Sequence, residues 1–435
     1  MTGWGTAALG TLFARAVTLL MTMCSGVLLA RQLAPSGRGT YYVFLSIAIT
    51  SCFLGNLSGD QAMVSRWEHS AERPALRANS LFLGPVLGSL TALTAGVVAV
   101  SVGDFRSATS SELVLLVVVL LAVPVIVTCT YMSGALGLEG RIKLVTWGTF
   151  GGSAAQCVLL AFCSVTGSLT IGKAVSIWVL SVTVTLVLFM RVGRFSTARR
   201  DLSLAVRTVT IGLRNHLGLV ATQILLRVDV LMLNAATSSY AAGLFSVAVT
   251  LVDLVTVATV SLSLVGLSRQ ANEDLEDAAR ITATATRLAG LVGVVSMAAL
   301  CMTAPMLIPI VYGSEFRDSV IPLFGLAPGV LVYAVTRPMW THILRLNRPG
   351  MATGISLLAF VLNVGLNLAL IPVLGVLGCA VASSVAFAFF GLMQTVWFLR
   401  ATGLPVSRVV PGIEELRGVR RVLERVRHRL VQAKM

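Results

Sequence analysis

The sequence predicts an all-α polytopic membrane protein, with about twelve transmembrane helices in two six-helix bundles related by a pseudo-two-fold axis along the membrane normal. Three observations lead there. Of the 435 residues, 56% are hydrophobic and only 12% charged, about half the charge of an average soluble domain, and the mean hydropathy is +0.89. Apolar runs of span length recur from Leu9 to Leu399, with no intervening polar stretch long enough to form a soluble domain. Lys and Arg concentrate in alternate connections between those runs. Together these exclude a soluble globular enzyme, a secreted disulfide scaffold and a disordered chain.

A crossing needs about 20 residues. Windows of that length fall at 9–32, 40–64, 79–102, 112–136, 144–166, 173–191, 208–235, 241–267, 282–310, 319–340, 350–372 and 376–399. The first has no charged region or cleavage site before it and reads as a retained span. The seventh is rich in charge, and Pro322, Pro328 and Pro338 interrupt the tenth. The basic segment 191–207 divides the spans six and six, giving an N-terminal bundle (1–190), a linker (191–207), a C-terminal bundle (208–400) and a tail (401–435).

An even count puts both termini on one face. Connections on that face, with the tail, hold 23 Lys and Arg; the opposite connections hold Arg31, Arg38, Arg106, Lys173 and Arg317. The positive-inside rule therefore predicts a multi-pass protein of the inner (plasma) membrane with cytoplasmic N- and C-termini. The net charge of +15 is thus a topology signal. No basic face interleaved with aromatics lies outside the spans, so nucleic acid is not a predicted partner. From Ser407 to Lys434 the tail reads as a basic amphipathic helix, either docked on anionic membrane lipids or serving as a solvated anchor.

Internal similarity supports the two halves. The segment 34–48, entering span two, resembles 238–252, entering span eight: each has a short polar turn, a glycine (Gly39, Gly243), an aromatic and an apolar helix.

Ionisable groups within spans are costly and by default face a bundle interior or a water-filled cavity. Span one carries Thr11, Arg15, Thr18, Thr22 and Ser25 on one face. Span seven carries His216, Gln223, Arg227 and Asn234 as one stripe, with Asp229 about 200° round from Arg227. Span eight has Ser246, Thr250, Asp253 and Thr256. Arg287, Tyr333, Arg337, Ser356, Asn363 and Asn367 follow in spans nine to eleven. The fixed charge is mainly positive, which suits an anionic polar substrate, and the planar guanidinium fork suits phosphate. Each residue also has a structural reading. Arg287 sits where it can snorkel, Asp229 and Asp253 can partner arginines, and Ser, Thr and Asn stripes glue helices. His69, His342 and His428 fall in connections or the tail, leaving His216 as the one histidine placed to relay a proton.

Catalytic chemistry is absent. There is no phosphate-binding glycine loop, no His-Glu-x-x-His and no nucleophile elbow, so no enzyme, cofactor or metal is expected. The seven cysteines all fall in spans, with no Cys-x-x-Cys pair, and read as single thiols.

Three segments carry a resemblance. Leu28-Leu-Ala-Arg31-Gln-Leu-Ala-Pro35-Ser-Gly37-Arg-Gly39-Thr-Tyr41 is similar to the first-hairpin signature of bacterial polysaccharide (O-antigen and exopolysaccharide) flippases, of the multidrug/oligosaccharidyl-lipid/polysaccharide exporter superfamily. Leu226-Arg227-Val-Asp229, followed by Ala242-Gly243-Leu-Phe-Ser-Val-Ala248, resembles a second segment of that family, and Val311-Tyr312-Gly313-Ser-Glu-Phe316 a third. Ala34 stands where the family usually has glycine, and Phe245 where tyrosine is common. The resemblance implies movement of a polyprenyl-diphosphate-linked oligosaccharide between leaflets, with glycan polymerase and glycosyltransferases as partners. The rivals are a cation-coupled multidrug or small-metabolite exporter on the same fold, a membrane-embedded polymerase or transferase, and a scaffold subunit.

Overall fold

The computed structural model describes residues 2–101, 109–196, 200–270, 274–346 and 349–410. Among these every regular element is helical: α1 (Thr2–Gly55), α2 (Gly59–Arg66), α3 (Arg73–Ser101), α4 (Ser110–Leu138), α5 (Ile142–Val165), α6 (Ile171–Gly193), α7 (Leu202–Leu225), α8 (Val228–Ala236), α9 (Ser239–Gln270), α10 (Leu275–Tyr312), α11 (Val320–Arg345) and α12 (Pro349–Thr402). The chain is thus a multi-pass helical membrane protein. Most of the predicted basic tail helix lies outside the described residues.

Nine of these helical stretches are long and apolar enough to cross a membrane, or ten when α7 and α8 count as one broken span. Two of them reverse internally. At 54 residues, α1 and α12 are each about 81 Å long if straight, far beyond a 30 Å core. In α1 the break is Ala34 (φ 55, ψ 178), followed by Pro35. Arg38 Nη1 reaches the Gly26 carbonyl at 2.5 Å, although twelve helical residues would separate the two by about 18 Å. In α12 the break is Gly375 (φ 55, ψ −127), and a Cβ on Gly378 would meet the Leu370 carbonyl oxygen at 2.2 Å. Each helix is therefore a hairpin of two arms, and among the described residues the crossings, with α7 and α8 as one broken span, number twelve.

Local chemistry marks the other ends. Thr109 and Glu112 form a reciprocal capping box on α4, and Asp201 caps α7 by accepting from the Leu204 amide. Arg141 donates to the Val192 and Gly193 carbonyls at the end of α6, where the helix dipole favours a cation. Several arginines that orient the chain are thus also helix caps or ion-pair members: Arg66 pairs with Glu72, and Arg77 and Arg141 both meet Glu139.

The chain forms two compact units. The first comprises residues 1–246 and 308–317. Its core is aliphatic and aromatic, with Phe44, Val119, Val123, Val127 and Tyr131 buried; the Tyr131 hydroxyl donates to the Asn56 carbonyl at 2.8 Å. The second comprises residues 247–307 and 318–435. There α11 lies along α12: the Gly329 amide donates to Ser384 Oγ at 2.8 Å, and Tyr333 packs between Phe387 and Phe390. Pro328 and Pro338 are accommodated inside a continuous α11.

Candidate functional site

The three signature segments converge within the first unit, which holds all of their residues except Val247 and Ala248. Arg38, expected in an outer connection, is instead 4% exposed. The reason is geometric: the reversal takes a single residue, Ala34, so the second arm of α1 already begins at Pro35 and Arg38 lies in its first turn. Its Nε donates to Ser246 Oγ at 2.9 Å, and its guanidinium lies 5.2 Å from the Tyr312 ring centroid and 5.9 Å from that of Phe316. Arg31, expected in the same connection, is helical and exposed, and donates to the carbonyls of Ile310 and Val311.

The two segments that resemble each other internally also touch, and they do so reciprocally. A Cβ on Gly39 would stand 1.7 Å from the Ser239 carbonyl oxygen; a Cβ on Gly243 would stand 1.9 Å from that of Pro35. Gly39 corresponds to Gly243 in the internal match, and Pro35 to Ser239. Each contact is the other with its partners exchanged, the signature of a local two-fold. Only glycine permits such a backbone approach.

The other ionisable residues expected in the spans are distributed over both units. In the first, the span carrying His216, Gln223, Arg227 and Asn234 is not one helix. It bends by 49° between α7 and α8, and Arg227 (φ −132, ψ −24) stands at the break as the residue preceding α8. The Arg227 amide donates to the Ile224 carbonyl, a tightened last turn that ends α7. The expected unbroken stripe is therefore two shorter ones. Arg227 is half-buried and its Nη1 donates to the Tyr42 hydroxyl at 2.9 Å. Asp229 is buried in the first turn of α8. Gln223 is half-buried, and His216 lies within reach of Ser58 Oγ and the Leu54 carbonyl, 3.1 Å from each. The side chain of Arg15 lies outside the described residues.

In the second unit Arg337 is half-buried on α11. Its Nη1 donates to the Tyr333 hydroxyl one turn earlier, at 3.2 Å. Asn363 and Asn367 on the first arm of α12 are fully buried, and Asn367 Nδ2 donates to the Asn363 carbonyl at 3.0 Å. Arg287 is half-buried on α10, and Asp253 is exposed on α9. His342, expected in a connection, is 1% exposed within α11, because that helix runs on to Arg345 and buries it; its ring packs edge-on against Phe398. Sequence reasoning missed Arg38, Tyr42 and His342. For Arg38 the signal was present, since it falls in the hairpin signature, and Tyr42 directly follows that signature.

The chain is therefore a polytopic helical protein with cationic, hydroxyl-paired side chains set inside its spans. No family model matches it, and neither does any curated protein. Solved structures do. An inward-facing multidrug resistance transporter of the MATE family, of the MOP superfamily, aligns with a TM-score of 0.71 at 17% identity, over 89% of this chain and 94% of that one. The lipid II flippase MurJ, in an inward closed conformation, aligns with a TM-score of 0.72 at 13% identity, over 92% and 89%. A MOP-superfamily transporter from Pyrococcus furiosus, described as having a binding pocket of reversed polarity, gives 0.67 at 15% identity, over 91% and 94%. At such identities the likeness shows the fold, which is that of these transporters.

Proposed function

We propose that this protein is a membrane transporter, a flippase that carries polyprenyl-diphosphate-linked oligosaccharide from the cytoplasmic to the outer leaflet by alternating access, for cell-surface polysaccharide biosynthesis. The observation that carries the reading is the state of Arg227 and Arg337. Both lie within spans, half-buried, and each is hydrogen-bonded to a tyrosine hydroxyl, an arrangement suited to phosphate oxygens. In this reading Arg15, Arg227, Arg287 and Arg337 meet the diphosphate, while Gln223, Asn363 and Asn367 supply hydrogen bonds. Asp229, Asp253 and His216 serve in ion coupling or in structural pairs. Membrane lipids surround the polyprenyl tail, and glycan polymerase and glycosyltransferases act before and after. An inside-negative potential favours outward movement of an anion by about 2.3 kcal/mol per charge per 100 mV, so export needs no nucleotide. The fold of MurJ, named as a lipid II flippase, is consistent with a lipid-linked substrate.

The MATE likeness supports a second reading, cation-coupled export of drugs or small metabolites. The mainly basic span residues oppose it for cationic drugs. Proteoliposomes separate the two. Those loaded with fluorescent polyprenyl-diphosphate oligosaccharide should show protein-dependent translocation that Arg227→Ala and Arg15→Ala abolish without loss of reconstituted protein. Ion-gradient-driven movement of a cationic dye, with none of the lipid-linked glycan, would establish the second reading instead.

A further inference from the structure

The seven cysteines are free thiols, and their spacing in the sequence pairs none of them. Within the first unit, however, the fold brings two together. Three hydrogen bonds fix the level of the first arm of α1 against α5. Gln32 Nε2 donates to Ser164 Oγ at 2.9 Å, which sets position 32 beside 164. Arg38 Nη1 on the second arm reaches the Gly26 carbonyl, so that returning arm carries Tyr41 back to the level of Met23 and Cys24. Gln156 Nε2 on α5 donates to the Tyr41 hydroxyl at 3.4 Å. The first arm and α5 therefore run parallel, and Cys157 stands at the level of Cys24.

The rotation of the two helices agrees. Seven residues make nearly two helical turns, so Ser25 shares the face of Gln32, and Cys157 that of Ser164. Ser25 is accordingly buried, and Cys24, one residue round, lies on the exposed flank of the same contact. The Cys157 thiol interacts with both Cys24 and Ser25. Cys157 itself is only 7% exposed. An accessible thiol beside a sequestered one has the two parts that disulfide closure needs: a sulfur that an oxidant can reach and a neighbour that resolves it.

We propose that Cys24 and Cys157 form a reversible disulfide that ties the first arm of α1 to α5, closed by a small neutral hydroperoxide. An uncharged oxidant can reach a thiol within a span, where an ion is costly. The Cys24 sulfur attacks one peroxide oxygen and the O–O bond breaks, leaving Cys24 sulfenic acid and, from hydrogen peroxide, one water. The Cys157 sulfur then attacks the Cys24 sulfur. The S–O bond breaks as the S–S bond forms, and hydroxide leaves with the thiol proton as a second water. Two thiols are oxidised by two electrons and the peroxide is reduced by two. A small dithiol reverses the closure by exchange, ending as its own disulfide and returning both protons to the cysteines. The proposal stands apart from the transport reading, since neither cysteine is assigned to the cargo and the readout is a covalent bond.

The test treats the purified full-length chain in lipid nanodiscs with hydrogen peroxide. The protein is then unfolded in detergent, its remaining thiols are blocked with N-ethylmaleimide, and its peptides are mapped by mass spectrometry. The expected result is a peptide pair joined through Cys24 and Cys157, separated by dithiothreitol and lost in Cys24→Ser and in Cys157→Ser. Oxidation should also raise the thermal unfolding midpoint of the wild type but of neither variant, because the bond joins positions far apart in the chain. Wild-type protein in which both thiols still take N-ethylmaleimide after peroxide overturns the proposal. Oxidation of Cys24 with no link to Cys157, or a link from either to another cysteine, overturns it equally. These outcomes are read on the wild type, so they hold even where a variant fails to fold.

Discussion

Arg38 and Arg337 place the same side chain in opposite surroundings. Around Arg38 every face of the guanidinium is occupied: a serine hydroxyl, a backbone carbonyl and two aromatic rings leave it 4% exposed. Arg337 is half-buried, with Tyr333 supplying both its hydroxyl contact and, at 5.2 Å, its ring contact. Burying a charge is tolerated only when it is fully hydrogen-bonded. The first environment reads as a clamp holding the two related segments together. The second reads as a group able to exchange its partner for a ligand. An arginine within a membrane segment is thus not by itself a binding residue; the completeness of its enclosure decides.

The comparison can be broken most severely at the glycines. Gly39→Leu or Gly243→Leu forces a side chain into a backbone carbonyl, beyond what core repacking absorbs; membrane-inserted, monodisperse protein should be lost in size-exclusion profiles. Arg38→Met leaves the Gly26 carbonyl and Ser246 without their charged donor and should destabilise by about 3 kcal/mol in denaturant titrations. Arg38→Lys should fail to restore this, since one ammonium cannot reproduce the fork. Ala34→Gly is expected to act in the other direction. The residue sits at φ 55, ψ 178, a region that suits glycine and costs other residues about 1–3 kcal/mol, so the variant should unfold at higher temperature. The smallest stability effect is expected at Arg337→Met, about 1 kcal/mol or less, together with loss of lipid-linked glycan movement in proteoliposomes. A collapse in stability there as large as that of Arg38→Met would erase the distinction between the two sites.

Much of this was legible in the chain. Span number follows from the apolar runs, because each crossing must bury its backbone polar groups in its own helix. The three signature segments also mark residues that meet in space. The depth and rotation of individual side chains were not legible. Arg38 looked like a loop residue because a one-residue reversal cannot be distinguished from a short loop by hydropathy. His342 looked likewise because nothing local says that α11 continues to Arg345. The stripe of His216, Gln223, Arg227 and Asn234 assumed an unbroken helix, and neither a proline nor a glycine at 226–227 warned of the bend.

Composition and periodicity by themselves determined that this protein is helical, crosses the membrane about twelve times and repeats a glycine-bearing segment in its two halves. These are consequences of hydrocarbon thickness and backbone hydrogen bonding, which act on each segment separately. Only the tertiary structure decided which arginine is sealed and which is open, and that Gly39 and Gly243 serve one reciprocal contact. Those outcomes depend on what a distant segment places beside each residue, and local sequence carries no record of that neighbour.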